Sequence, residues 1–329
     1  MSILKLLWIL QRLIARVPIK LIKTDFKISA RTTNSNNITC IYKSNELVAN
    51  SGYKIIQGNE FRRVLKVNNP VLNTKTGVIW FSNKLLLEST FWNYEDLLRW
   101  EPRPFAPKRL YGNYYSLPDN GYYHFLIEDL PRYIQAKNFG SDYKTLIGKE
   151  SKYITEVIKL LSPNNSILIS YPVQVESLYI SEKIKESLFS PEDLIILHNG
   201  FAEFRKFSHS LKIFISRKDH KGSKYLSRGL TKKNEVEIFF KDLGFNIIYL
   251  EDLSFSQQIE LCSRAEIIAG FHGAGLSNIV WADSGVKVIE ITNTRVTTHF
   301  EHLSKICGHK FLRFSIQSNL SDLQGFINL

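Results

Sequence analysis

The chain has 329 residues, 44% of them hydrophobic and 22% charged, a balance that excludes a disordered polypeptide and leaves room for two domains with cores of their own. Its net charge of +12 suits nucleic acid, an anionic membrane surface or a phosphate-bearing substrate, but no dense Lys/Arg block and no zinc-finger or ribonucleoprotein pattern selects nucleic acid. Three scattered cysteines, Cys40, Cys262 and Cys307, exclude a disulfide framework or a zinc site and point to a reducing compartment.

Residues 1–23 mix apolar and basic side chains. Lys5, Arg12, Arg16, Lys20 and Lys23 interrupt the apolar runs, so the segment is not read as a transmembrane helix. Arginines inside the apolar region, with no small-residue cleavage site after it, argue against a signal peptide. On a helix Arg12, Arg16 and Lys20 share one face, Leu6, Leu10, Leu13 and Val17 another, and Trp8 lies at the boundary. That layout predicts an interfacial helix docked on a membrane surface; the other reading is a helix packed on its own domain.

Short strands are expected at Ile38–Tyr42, Tyr53–Gln57 and Val78–Phe81. The aromatic, proline-broken stretch Phe91–Pro104 reads either as core or as a sugar-lining surface. In Asn120–Tyr133, a helix from Tyr123 would set His124, Glu128 and Arg132 on one face and Phe125, Leu126, Leu130 and Tyr133 on the core side, with a kink or restart at Pro131. A half-buried His and Glu one turn apart can supply a general base, tuned by the Arg. A solvated face with a Glu128–Arg132 ion pair is the alternative.

From Thr145 to Leu197 strands and helices take turns: Thr145–Ile147, a helix near Tyr153–Leu161, Ile167–Ile169 and Ser177–Ile180. Such alternation predicts a parallel sheet with helical crossovers. The pattern breaks at residues 198–210, which suggests domains at 24–200 and 201–329. Beyond it come a strand at Leu211–Ile215 ending in Ser216-Arg217, a helix at Asn234–Leu243, a strand at Asn246–Leu250 and a helix at Ser256–Arg264. Glu266–Ile291 then reads as strand, glycine turn, short helix and strand.

In that turn Gly273 and Gly275 allow backbone conformations and close approaches denied to other residues, and the amide N–H groups of a helix starting near Ser277 and Asn278 would seat a phosphate. His272 lies at its mouth. In a doubly wound sheet ligands bind beyond the carboxyl ends of the strands, and Arg217, Glu251, His272, Gly273 and Glu290 all fall on that edge. Arg217 and Arg228 would hold a diphosphate through forked, charge-assisted hydrogen bonds.

Several of these pieces together resemble glycosyltransferase family 61: Tyr123-His124-Phe125-Leu126-Ile127-Glu128 with Leu130-Pro131-Arg132, Ile215-Ser216-Arg217, Arg228 followed by Asn234-Glu235, Gln258, and His272-Gly273-Ala274-Gly275-Leu276-Ser277-Asn278 with Val288-Ile289-Glu290. They span roughly residues 113–300. One departure is Phe125, where the family pattern has Trp.

The resemblance implies an α/β, GT-B-like fold, two Rossmann-like domains with parallel sheets facing across a cleft, with the C-terminal one binding the nucleotide sugar. It implies an inverting transferase that moves a sugar from a nucleotide donor, a UDP-sugar first, to a hydroxyl of a glycan or lipid-linked glycan, as in capsule or other surface polysaccharide synthesis. No cofactor is expected beyond that co-substrate. The sequence contains no Asp-x-Asp, which suits a metal-independent enzyme whose departing diphosphate is held by Arg217, Arg228, His272, Gly273, Ala274, Gly275 and Asn278. Glu128 is the expected base, with His124 its rival or orienting partner. Glu290 is assigned to a ribose hydroxyl, and Arg132, Asn234 and Glu235 to acceptor contacts or orientation. The expected location is the cytoplasmic face of a bacterial inner membrane. A non-catalytic nucleotide-sugar-binding or scaffold protein of a polysaccharide assembly is the alternative.

Overall fold

The computed structural model describes residues 38–41, 64–74, 77–81, 84–85, 107–118, 121–137, 143–161, 166–169, 172–181, 189–218, 232–293 and 297–328. The interfacial helix expected at 1–23, the strand at Tyr53–Gln57, the aromatic stretch Phe91–Pro104 and Arg228 lie outside the described residues. The chain divides into two compact units, Met1–Asn120 with Glu128–Leu188, and Gly121–Ile127 with Phe189–Leu329.

The first unit carries a sheet of β1 (Ile38–Ile41), β2 (Val64–Asn68), β3 (Val71–Leu72), β4 (Ile79–Phe81), β5 (Lys84–Leu85), β6 (Lys108–Leu117), β7 (Lys144–Ile147), β8 (Ser166–Leu168) and β9 (Val173–Ser181). Here the expectation of an all-parallel sheet is corrected. β6, β7, β8 and β9 pair in parallel, whereas β1 to β5 join by antiparallel pairing. For β3, β4 and β5 the reason is connection length: parallel neighbours need a crossover of a dozen or more residues, and the links from β3 to β5 are too short for one. β2 and β3 lie successively along β9, interrupted at Asn69-Pro70, where Asn69 has φ 54°. Val67, Leu72, Ile79, Tyr114, Leu146, Val175 and Leu178 form the core.

Between β6 and β7 the chain runs through α1 (Tyr122–His124), a π turn (Phe125–Asp129) and α2 (Leu130–Lys137). Pro131 cannot donate a backbone hydrogen bond to the carbonyl four residues earlier, and its ring crowds that carbonyl. A widened turn ahead of it avoids the conflict, so a helix expected to kink is wound wide instead. α3 (Lys152–Leu161) crosses from β7 to β8, burying Ile154, Val157 and Ile158 at helical spacing.

The second unit opens with α4 (Pro191–Gly200), started by a Ser190–Asp193 capping box with proline in the first turn. Its sheet contains β10 (Leu211–Ser216), β11 (Asn246–Tyr249), β12 (Ala265–Phe271), β13 (Lys287–Thr292) and β14 (Lys310–Ser315), in the order β11-β10-β12-β13-β14, every pair parallel. Between the strands run α5 (Lys233–Asp242), α6 (Phe255–Ser263), a 3₁₀ helix (Ala274–Trp281) and α7 (His299–Cys307); α8 (Leu323–Asn328) follows β14. Side chains alternate along strands, so Phe214, Ala269, Phe271, Ile289 and Ile291 face a core completed by Val236 and Phe240 of α5 and Leu323 and Ile327 of α8.

Strand order positions the candidate site. From β10 the chain moves to β11 on one side, then returns to the other side of β10 for β12. The crevice at such a reversal, beyond the carboxyl ends of the two strands, is where doubly wound sheets hold ligands. The residues that leave β10 and β12 there are Arg217 and His272.

Candidate active site

The turn after β12 is built around one close approach. The Arg217 guanidinium donates from Nη2 to the His272 carbonyl at 2.6 Å, and a Cβ placed on Gly273 would fall within that guanidinium. Only glycine leaves this space, and its φ of 156° is itself rarely taken by other residues. The cation from one strand end is thus held against the backbone of the next.

Past Gly273 the 3₁₀ helix starts at Ala274, its first turn closed by the Leu276 amide on the Gly273 carbonyl at 2.9 Å. The leading N–H groups of such a helix have no intrahelical acceptor and attract anions. The turn is braced from inside: the Asn278 side-chain amide donates to the Gly275 carbonyl at 3.0 Å, and the Tyr122 hydroxyl lies 2.9 Å from both Asn278 Oδ1 and Gln258 Oε1. Gln258 in turn donates to the Leu250 carbonyl at 3.0 Å. Asn278, expected among the donor contacts, is fully buried and supports the turn from beneath. Tyr122 was not anticipated: it ties α1 to the turn.

His272 continues into a polar chain. Its Nδ1 meets Glu290 Oε1 at 2.5 Å, and Arg313 Nε donates to Glu290 Oε2 at 2.9 Å. Arg313 Nη2 also donates to the Thr297 carbonyl at 2.6 Å, and its Nη1 lies 3.4 Å from Glu301. Glu290 and Arg313 are register partners on adjacent parallel strands, so both project from one face of the sheet. Glu290, expected to reach a ribose, is 0% exposed with each oxygen engaged inside the protein; a carboxylate so placed supports its neighbours instead of meeting a ligand. The His272 ring packs edge-on to Phe300, 5.5 Å between centroids, and Phe300 packs on Tyr123 at 5.9 Å. His124 adjoins Tyr123 on α1, and His299 at the start of α7 meets the Tyr123 ring at 5.6 Å.

Other expected residues are more dispersed. Glu251 lies exposed in the short helix after β11, and Asn234 and Glu235 are exposed on the first turn of α5. In the first unit Glu128 lies in the π turn, 1% exposed, so it is not on a solvated face. Arg132, also buried, approaches Asp129 at 3.7 Å. In a π turn four-residue spacing no longer stacks side chains one above another, which changes the predicted geometry of His124, Glu128 and Arg132. Among the described residues no group of three or more His, Cys, Asp or Glu converges as a metal site, and no helix is long and apolar enough to cross a membrane.

The model of the family described as Glycosyltransferase 61 matches residues 122–289, just over half of the chain. The matched span starts at Tyr122 and covers Arg217, the glycine turn and β12. No curated protein matches the chain.

Proposed function

Because the chain belongs to glycosyltransferase family 61, we propose that it transfers a sugar from a nucleotide donor, a UDP-sugar first, to a hydroxyl of a glycan, with inversion and through a metal-independent, GT-B-type mechanism. The observation that carries the donor site is the guanidinium of Arg217 held over Gly273 at the strand reversal, beside the start of the 3₁₀ helix. In this reading the donor diphosphate lies against Arg217, the amides of Ala274 and Gly275, and His272, with Arg228 adding a second cation. These groups stabilise the charge that gathers on the diphosphate as its bond to the sugar breaks.

The base in this proposal is Glu128. It takes the proton of the acceptor hydroxyl as that oxygen attacks the anomeric carbon from the face opposite the leaving group, which inverts the configuration. A carboxylate buried in a π turn supports the assignment, since such turns recur at functional sites. His124 orients this step; Arg132 tunes the carboxylate, and Asn234 and Glu235 act on the acceptor side. The sequence's lack of an Asp-x-Asp supports leaving-group stabilisation by cations of the protein.

Incubation with UDP-, GDP- and CMP-sugars and nuclear magnetic resonance of the product tests this directly. An inverted anomeric configuration without added metal is expected; retention, or an absolute need for a divalent ion, refutes the mechanism. We further place the protein in capsule or other surface polysaccharide synthesis on the cytoplasmic face of a bacterial inner membrane, docked through residues 1–23. Deletion of those residues should move it from the membrane to the soluble fraction, and unchanged sedimentation contradicts the docking.

A further inference from the structure

A fully buried carboxylate is tolerated only when other groups take its charge and its lone pairs. Glu290 meets that condition on both oxygens, one at His272 Nδ1 (2.5 Å) and the other at Arg313 Nε (2.9 Å). Arg313 is itself fixed to the Thr297 carbonyl at 2.6 Å. Because Glu290 and Arg313 are register partners, their spacing is set by a parallel sheet and not by a loop. The backbone of His272 is anchored as well, its amide donating to the Ile291 carbonyl at 2.8 Å. A rigid chain therefore runs from the Thr297 carbonyl through Arg313 and Glu290 to one imidazole.

Engaging Nδ1 leaves Nε2 as the ring nitrogen for a ligand, and His272 keeps 21% of its side chain exposed while Glu290 keeps 1%. A carboxylate on one imidazole nitrogen fixes the tautomer and orientation of the ring. We infer that Glu290 and Arg313 are positioning residues of the donor site: Arg313 holds the Glu290 carboxylate in place, Glu290 accepts from His272 Nδ1–H, and the ring is thereby held with Nε2 towards the leaving diphosphate, to which it donates when protonated. The inference rests on the reading of this edge as the donor site. Neither positioning residue touches the donor; both act through His272.

The test is steady-state donor turnover in wild type, Glu290→Gln, Glu290→Asp and Arg313→Lys, with the His272 imidazole observed by nuclear magnetic resonance. UDP-, GDP- and CMP-sugars are the probes. For Glu290→Gln the expected result is a fall of about tenfold or more in kcat, an unchanged donor KM and an altered His272 ring signal. Glu290→Asp and Arg313→Lys, which keep the charges, should recover part of kcat. Should Glu290→Gln fail to fold, those two variants carry the test through the same split of kcat against KM. An unaltered ring signal in Glu290→Gln, with kcat and KM changed together and no recovery in Glu290→Asp, overturns the inference and leaves Glu290 a structural residue. A wild type that binds no nucleotide sugar overturns the donor-site reading itself, and the role of these residues with it, whatever the ring signal shows.

Discussion

Two buried glutamates, Glu290 and Glu128, show how differently a fold can place the same group. Glu290 lies within a parallel strand, where register assigns its neighbour across the sheet and Arg313 arrives opposite it. Glu128 lies in a π turn, where widening the helix by one residue re-aims the side chains around it. A strand-borne carboxylate is locked into a pairing that repeats in every molecule, which suits a permanent electrostatic support. A carboxylate on a widened helical turn is aimed by a local irregularity, a device associated with functional positions. This comparison is why we propose that Glu290 acts through other residues and that Glu128 exchanges the proton.

The largest effect should come from breaking the second half of that comparison. Glu128→Gln keeps the size and removes the base, so turnover should fall on the order of a hundredfold or more, with donor affinity retained in calorimetry. Turnover within a few-fold of wild type would assign the proton to another residue, His124 first. Measured side by side, Glu128→Gln and Glu290→Gln should also differ in kind, since only the second alters the His272 ring signal in nuclear magnetic resonance.

A smaller effect probes the far end of the 3₁₀ helix that begins at the glycine turn. There His198 Nε2 lies 2.7 Å from the Val280 carbonyl with its ring stacked on Trp281, and the partly buried His309 adjoins Ala282 and Asp283. Burial pushes the His309 imidazole down to about 4, against the pull of the neighbouring backbone and of Asp283, and burial lowers His198 too. A folded-state value below the unfolded one contributes stability at neutral pH that is lost as pH falls from about 6.5 towards 4, because the unfolded chain takes up the proton first. Between pH 7 and pH 5 the loss from His309 is about 2 kcal/mol. Thermal unfolding should show it, and His309→Gln should flatten the pH dependence; equal slopes in both proteins would contradict the account.

Much of the β10–β12 edge was legible before the structure, for a physical reason. Apolar strands that stop at Arg217 and at Gly270–Gly273, separated by helices of expected length, can be arranged only as a parallel sheet whose carboxyl ends share an edge. The helices expected at Asn234–Leu243 and Ser256–Arg264 appear at Lys233–Asp242 and Phe255–Ser263. Arg313 was missed because its role comes from register: Lys310–Ser315, with one Arg among Phe311, Leu312 and Phe314, announces a strand but not that Glu290 lies opposite it. Asn278 and Glu290 had the right chemistry for ligand contacts, and burial gave them internal partners. The π turn has no periodic signature; Pro131 indicated a break, but not that the helix would meet it by widening the turn ahead of it. In the first unit the alternation read over Thr145–Leu197 corresponds to the parallel pairing of β6 to β9, whereas the parallel sheet implied by the resemblance does not extend to β1–β5, which pair antiparallel.

The most direct test of the central claim, that the β10–β12 edge seats the donor diphosphate, is calorimetric binding of UDP-, GDP- and CMP-sugars to wild type and Arg217→Ala, with and without EDTA. The account predicts that one nucleotide class binds, that EDTA leaves binding unchanged, and that removing the guanidinium weakens it about tenfold to a hundredfold, as losing a charged hydrogen-bonding partner does. Equal affinity in Arg217→Ala, or no binding of any nucleotide sugar to the wild type, would contradict it.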